Sequence, residues 1–208
     1  LESTSSESLR EVVDQGVVLV QFDRIFDDLE SSTVVNDNFS GAYEATKHLI
    51  EAGYHRIGHL GGDDQSNVYI ERRRGYIKAL TDAGMAVDED IIFGDSITRD
   101  KGFYNMAKAL DKGCDALYCA GDYAALGVME YARHNHIDIP GQFGVVGTAN
   151  ENFAELLVPS LTTLEQNATE IGQRAAQAFL DMRFNGVVSN IVVSMKLIVR
   201  DSASRQHK

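Results

Sequence analysis

Apolar runs typical of buried strands alternate with amphipathic segments typical of helices along most of the chain. The strand-like runs are VVLVQF (17–22), TVVN (33–36), RIGHL (56–60), DIIF (90–93), DALYCA (115–120), FGVV (143–146), LTTL (161–164) and VVSMKLIVR (192–200). Segments with apolar residues at helical spacing separate most of them, and the connections are short. This order predicts right-handed strand–helix–strand units, and therefore an α/β fold with parallel sheets and helices on both faces.

Polar residues follow the carboxyl ends of these predicted strands. Acids stand there at five places, and the stretch TANEN (148–152) follows the run FGVV; the acids are Asp23, Asp37, Asp63, Asp95 and Asp122. Ligands of parallel α/β sheets bind outside the carboxyl ends of the strands. The sequence therefore predicts a small-molecule site at this edge.

Motifs for nucleotides, metals and nucleophilic catalysis are missing from the sequence. Gly61-Gly62 follows a strand, but neither G-x-G-x-x-G nor G-x-x-x-x-G-K-[ST] is completed. No H-E-x-x-H is present, and we expect the histidines to lie on the surface or to be hydrogen-bonded in the core. No cofactor is expected. An enzyme on a doubly wound sheet stays as an alternative, since paired acids at strand ends can serve catalysis.

Composition narrows the possible partners. The 208 residues carry a formal net charge of −12, which argues against direct binding of nucleic acid by these residues. There is no run of about 18 apolar residues, so we expect no contact with a membrane. Two cysteines and a start without a signal-peptide pattern favour a cytoplasmic protein. The chain begins with Leu1 instead of Met, which suggests a fragment.

Several segments, in this order and spacing, resemble the effector-binding part of bacterial transcription regulators of the lactose/galactose-repressor (LacI/GalR) family. Together they cover most of the chain: VVLVQFDR (17–24), VVNDNFSGAYEATKHLIEAGYHRIGHLGG (34–62), RRRGYIKALTDAG (72–84), DALYCAGDYAALGVMEYARHNHIDIPGQFGVVG (115–147), PSLTTLEQ (159–166) and LIVRDS (197–202).

The resemblance implies two Rossmann-like parallel-sheet subdomains of the periplasmic-binding-protein type. One comprises residues 1–37 plus 166–192 and would be incomplete; the other comprises 38–165 plus 193–208. Three strands would connect them, and an effector such as a sugar, a sugar phosphate or a nucleobase would bind between them. The protein would form a homodimer and would contact DNA only through an N-terminal helix-turn-helix that this sequence lacks. A periplasmic solute-binding protein is the main alternative.

The resemblance also implies ligand-binding roles for particular residues. Asp23, in the F-D-R motif, would accept hydrogen bonds from the ligand, or would otherwise cap its turn. Arg72, in R-x-x-G, would donate to two ligand oxygens, although Arg73 or Arg74 could take this role. Asp122 matches a further ligand-contacting acid.

Two positions depart from the family pattern at the expected ligand site. Ala149 stands where the family has an acid after V-V-G, beside Asn150, and Ser96 stands in a region where many members carry an aromatic residue. We therefore expect weak binding of simple pyranose sugars, since one charge-assisted hydrogen bond is lost. Asp37 and Gln166 match hinge positions of the family. Leu126 and Leu157 match its dimer interface, and either leucine would also fit an ordinary apolar contact.

Overall fold

The chain divides into two compact units, each with its own parallel sheet. The structure is a computed structural model that describes residues 6–94 and 96–205, so Asp95 and the ends of the predicted subdomains lie outside the described residues. Unit 1 comprises Leu1–Asp37 and Asn167–Ser194, and unit 2 comprises Asn38–Gln166 and Met195–Lys208. The predicted α/β class with parallel sheets is confirmed.

The chain passes from one unit to the other three times. Asp37 ends the first segment of unit 1. The other two changes fall between Gln166 and Asn167 and between Ser194 and Met195. The sequence placed these two boundaries one and two residues earlier, so that Gln166 was assigned to the first subdomain and residues 193–194 to the second.

Unit 1 is a small parallel sheet with one long helix against it. Its elements are α1 (Ser6–Asp14), β1 (Val20–Phe22), β2 (Ser32–Asn36), α6 (Ala168–Asn185) and β8 (Asn190–Val193), with strand order β1-β2-β8. Burial alternates along β2, as expected when one face of a strand meets the core. That core joins Val34 and Val193 of the sheet to Ile171 and Ala178 of α6. β1 covers only the last three residues of the predicted run 17–22.

Unit 2 contains a four-stranded parallel sheet between two pairs of helices. Its elements are α2 (Asn38–Glu51), β3 (Ile57–Leu60), α3 (Asn67–Asp82), β4 (Ile92–Phe93), α4 (Arg99–Asp111), β5 (Ala116–Cys119), α5 (Asp122–His134), β6 (Gly144–Val146), β7 (Thr163–Glu165) and β9 (Lys196–Ile198), with short 3-10 turns at Glu89–Ile91 and Asp201–Ala203. The strand order of the sheet is β4-β3-β5-β6.

The central strands of unit 2 divide their side chains between two cores. Leu117 and Cys119 of β5 lie in one apolar cluster with residues of α4 and α5. Ala116 and Tyr118 lie in the other, with residues of α2 and α3. This alternation explains why the sequence of β5 is apolar throughout, since a strand covered on both faces has no solvent-facing side.

The last predicted strand is divided between the two units. Residues 192–200 read as one continuous run, but β8 ends at Val193 and β9 begins at Lys196. β9 pairs antiparallel with β7 in a separate two-stranded sheet. The prediction of a single strand over residues 192–200 was therefore wrong, because the chain changes from one unit to the other within this run.

Candidate functional site

The carboxyl ends of β3, β5 and β6 are tied together by backbone hydrogen bonds. The amide of Ala120 donates to the carbonyl of Leu60 at 2.8 Å, and the amide of Asp122 donates to the carbonyl of Thr148 at 2.9 Å. Three neighbouring strands thus end at one edge of the unit 2 sheet, where ligands of parallel sheets bind. Arg72, Asp122, Ala149 and Asn150 all belong to this unit.

Arg72 is held rigidly at this edge by two neutral acceptors. It lies on α3 and is only 3% exposed. Its Nε donates to Oδ1 of Asn38 at 2.8 Å, and one Nη donates to the carbonyl of Ala120, the residue after β5, at 2.7 Å. Its guanidinium carbon lies 5.9 Å from the centre of the Tyr69 ring. Arg73 and Arg74, which could have taken its place, instead form ion pairs with nearby acids.

Asp122 is buried and holds the segment after β6. Its Oδ1 accepts from the Thr163 hydroxyl at 2.6 Å, and its Oδ2 accepts from the amide of Glu151 at 2.8 Å. Burial raises the pKa of this carboxyl, and the hydrogen bonds from Thr163 and Glu151 oppose the rise. Gly147 leaves room for the carboxylate, since a Cβ there would lie 2.1 Å from Oδ1. The observed contacts of Asp122 are therefore structural, and its contact with a ligand stays a prediction.

The residues after β6 are fixed in an unusual backbone conformation. Ala149 has φ +129° and Asn150 has φ +51°. The amide of Ala149 donates to the carbonyl of Leu164 at 2.9 Å, which ties the segment to β7. The hydroxyl of Thr148 donates to the carbonyl of Cys119 at 3.0 Å. Thr148 is fully buried, so it packs against β5.

Both ends of the Asn150 amide bond to residues of the same unit. Its Nδ2 donates to Glu165 at 2.7 Å, and its Oδ1 accepts from Arg200 at 2.8 Å. Arg200 was not singled out from the sequence, because an arginine after a strand is common and its partner lies 50 residues away. The predicted ligand contact of Asn150 is untested, and its amide is already used for structure.

His59 lies in the core beneath this edge with one ring nitrogen unpaired. The imidazole stacks between Tyr76 and Tyr118, with ring centres 5.1 and 5.0 Å away. Nδ1 lies 3.1 Å from the carbonyl of Tyr118 and so carries the proton, whereas Nε2 has no partner among the residues described. Burial lowers the pKa of His59 to about 4. The expectation that every core histidine is fully hydrogen-bonded was wrong here.

The other predicted ligand and hinge residues occupy loops and unit boundaries. Asp23 follows β1 in unit 1 and is exposed. Its backbone has φ +61°, and its backbone amide donates to the carbonyl of Val34 at 3.1 Å. Ser96 is half-buried in the loop before α4. Asp37 and Gln166 are half-buried and lie at the boundaries of the units. Their roles stay predictions.

Leu126 and Leu157, the predicted dimer residues, line the same surface groove of unit 2. The groove encloses about 390 Å³ and is formed by α5 and the segment 156–158, with these lining residues: Arg99, Leu126, Met129, Glu130, Arg133, Leu156, Leu157 and Val158. Leu156 is 75% exposed and Val158 is 94% exposed. The structure therefore places both leucines beside unusually exposed apolar side chains.

The part of the chain that the structure describes has neither a metal-binding cluster nor a membrane-spanning helix. Within residues 6–94 and 96–205, no group of three or more His, Cys, Asp or Glu side chains is arranged to hold a metal ion. Within the same ranges, no helix has the length and apolar character needed to span a membrane.

Comparison with known proteins places the chain in a family. The model of the periplasmic binding protein-like domain matches residues 46–203, and the chain therefore belongs to that family. The transcriptional repressor CytR of Escherichia coli K12 is 32% identical to it over 84% of this chain. The operon regulator NtdR of Bacillus subtilis is 29% identical over 80%. The resemblance to regulators of the LacI type is thus confirmed.

Solved structures agree with this assignment. The matches also show how much of each relative this chain covers. The complex of the transcriptional regulator CelR with cellobiose has a TM-score of 0.88 and 30% identity, and the match covers 95% of this chain and 62% of that one. The matches to CytR and NtdR each cover 52% of the relative. The chain therefore spans about half the length of these curated relatives.

Proposed function

We propose that the chain is the effector-binding module of a bacterial transcription regulator and that a small molecule binds at the carboxyl edge of the unit 2 sheet. The main support for this proposal is the position of Arg72. Its side chain is buried at that edge and is fixed by hydrogen bonds to Asn38 and to the end of β5. A preorganised donor at the end of parallel strands is typical of binding sites. In the whole protein, ligand binding would control a DNA-binding domain.

The character of the relatives supports a regulator over the alternatives. CytR is named a helix-turn-helix repressor and NtdR an operon regulator, and neither name describes an enzyme or a solute carrier. A regulator acts on DNA, so a cytoplasmic location is part of this proposal. Because the chain itself carries a net charge of −12, contact with DNA belongs to another part of the protein.

A thermal-shift screen tests ligand binding. Sugars including cellobiose, sugar phosphates, nucleosides, purines and amino acids would each be added at increasing concentration. A specific ligand raises the melting temperature in proportion to the logarithm of its concentration above Kd. The effect should be lost in Arg72→Met and kept in Arg74→Met, whose side chain is exposed. Binding that is equally strong in Arg72→Met would place the site elsewhere.

We further propose that the groove lined by Leu126 and Leu157 is the interface of a homodimer. Contiguous exposed apolar surface commonly marks a protein interaction site. A two-fold axis brings the same patch of both copies together, so one groove suffices for a dimer. Arg99 and Glu130, which are joined by a hydrogen bond of 2.5 Å, flank the apolar residues with a polar rim.

A further inference from the structure

The connection between β1 and β2 encloses a cavity in unit 1. Residues 23–31 join these two parallel strands without a helix. A cavity of about 370 Å³ is lined by this connection and by the beginnings of β2 and β8, and its apolar lining residues are Ile25, Phe26, Leu29 and Val188. Small-molecule pockets typically enclose about 300–1,000 Å³ and have mainly apolar walls. The cavity therefore has the size and the wall of such a pocket.

The side chain of Gln21 holds the connection in place. This amide lies on β1 and is only 6% exposed. Its Oε1 accepts from the backbone amide of Phe26 at 2.8 Å, and its Nε2 donates to the carbonyl of Phe26 at 3.1 Å and to the hydroxyl of Ser31 at 2.8 Å. The walls of the cavity are thus preorganised, which lowers the entropic cost of binding a ligand.

Two carboxylates of the cavity lack a positive partner. Asp27 and Glu30 both line it, and neither side chain forms an ion pair or a hydrogen bond with residues 6–94 or 96–205. Asp28, which does not line the cavity, is paired with Arg10 at 2.7 Å. The chain therefore neutralises the acid outside the cavity and leaves the two that line it, so their negative potential favours a cation.

Two hydrogen-bond donors of the cavity are also unused. Ser31 is only 5% exposed, and its hydroxyl accepts from Gln21, but no residue of the described part of the chain accepts its proton. Asn190 accepts from the hydroxyl of Thr33 at 2.9 Å, whereas its Nδ2 has no acceptor among the same residues. These groups can donate to an oxygen of a ligand. A few polar groups on an apolar wall are what fixes the orientation of a bound molecule.

We propose that this cavity is a second small-molecule site, for an organic cation in which a short apolar stem joins a guanidinium group to a second positive group. The stem lies against the apolar wall, and Asp27 and Glu30 neutralise the two charges. A guanidinium fits better than an ammonium group, because it is more weakly hydrated and stacks on aromatic residues such as Phe26. A carbonyl oxygen of the ligand accepts from Ser31 or Asn190. The site lies in unit 1 and does not depend on the effector site proposed in unit 2.

Nuclear magnetic resonance of the isotope-labelled 208-residue chain tests the site residue by residue. The probe is L-argininamide, and its matched analogue is L-citrullinamide, in which a neutral urea replaces the guanidinium. Both are titrated in about 0.15 M sodium chloride, which screens exposed charges beyond about 8 Å. With L-argininamide we expect saturating shifts of the amide signals of residues 25–33 and 188–190. L-Citrullinamide should bind at least about tenfold more weakly, because it lacks one charge-assisted interaction.

Two double variants separate the cavity from the general negative charge of the chain. Asp27→Asn with Glu30→Gln removes both carboxylates of the cavity and should weaken binding of L-argininamide at least about tenfold. Glu11→Gln with Asp14→Asn removes two exposed carboxylates of α1 that do not line the cavity, and it should bind as the wild type does. The two double variants have the same net charge, so a difference between them belongs to the cavity.

A substitution of the apolar wall tests the shape of the site. Val188→Trp narrows the cavity without changing any charge and should also weaken binding at least about tenfold. Unchanged binding in Val188→Trp, or equal binding by the two double variants, would overturn the proposal. Shifts that grow without saturation or spread over acidic residues throughout the chain would overturn it as well, since they indicate ionic attraction alone. So would the lack of any shift with L-argininamide. The amide signals of unit 2 report whether each variant is folded.

Discussion

At the scale of single residues, the backbone of Ala149 is the most strained position of the candidate site. Its φ of +129° lies in a region that side chains other than glycine rarely adopt. Such strain costs about 1–3 kcal/mol and persists only where the surroundings impose it. Here the bond from the Ala149 amide to Leu164 and the two bonds of the Asn150 side chain impose it.

We predict that Ala149→Gly stabilises the protein by about 1 kcal/mol, because the relief of strain exceeds the extra chain entropy that glycine loses on folding. Urea unfolding measures the difference. Ala86→Gly is the matched control, since Ala86 is exposed, irregular and not at positive φ, and it should be neutral or slightly destabilising. Equal effects of the two substitutions would show that position 149 is not strained.

The neutral, buried His59 predicts a dependence of stability on pH. Its pKa is about 4 in the folded protein and about 6.5 when unfolded. Between these values the unfolded chain binds more protons, so stability falls as the pH falls from 6.5 toward 4. The loss attributable to His59 between pH 7 and pH 4.5 is about 2–3 kcal/mol.

Urea unfolding of the wild type and His59→Phe at both pH values tests this dependence. The phenyl ring preserves the stacking but cannot be protonated, so the difference between the two pH values should shrink by about that amount. His55→Gln alters an exposed histidine and should keep the wild-type difference. A difference that is the same in His59→Phe would contradict the proposed cause.

At the scale of elements, α4 and α5 approach so closely that glycine is required in the contact. A Cβ on Gly102 would lie 2.0 Å from the carbonyl oxygen of Ala124, and one on Gly127 would lie 1.9 Å from that of Arg99. Each helix thus places a glycine against the backbone of the other. The sequence showed both helices through their periodic apolar residues but gave no sign of how near they lie.

Gly102→Ala should destabilise the protein by about 1–3 kcal/mol, because the two helix backbones must move apart and the packing of the core is disturbed. The gain in helix propensity, about 1 kcal/mol, does not offset this. Gly172→Ala, on the exposed face of α6 with open space around it, should instead stabilise by about 1 kcal/mol. Unfolding free energies of the same sign for both would refute this account of the contact.

Local sequence patterns predicted the positions of the strands more accurately than the contacts that the strands and side chains make with distant parts of the chain. The apolar runs before Asp63, Asp122 and Thr148 located β3, β5 and β6, because burial on both faces requires continuous apolar sequence. The division of residues 192–200 between two sheets was missed, since pairing depends on distant strands. For the same reason the sequence pointed to Arg72 but not to its bond with Ala120, because a backbone carbonyl has no signature in sequence.

At the scale of the whole molecule, the proposed homodimer rests on a few exposed apolar residues. Leu156 and Val158 are exposed side chains of unit 2 that line the groove together with Leu126 and Leu157. In a monomer these side chains face water, at a cost of about 25 cal/mol for each Å² of apolar surface left exposed. Association of two copies through this patch would remove that exposure.

Val158→Asp should therefore convert a dimer into a monomer, because a two-fold interface would bury two added carboxylates close together, and isolated buried charges are strongly unfavourable. Val87→Asp is the matched control: it introduces the same charge at an exposed valine in an irregular segment outside the groove. Sedimentation equilibrium over a range of concentrations should give a dimer for the wild type and for Val87→Asp. For Val158→Asp it should give a dissociation constant at least about tenfold higher, which corresponds to 1.4 kcal/mol. A wild type that stays monomeric at high concentration, or a Val158→Asp variant that dimerises as tightly as the wild type, would exclude this groove as the interface.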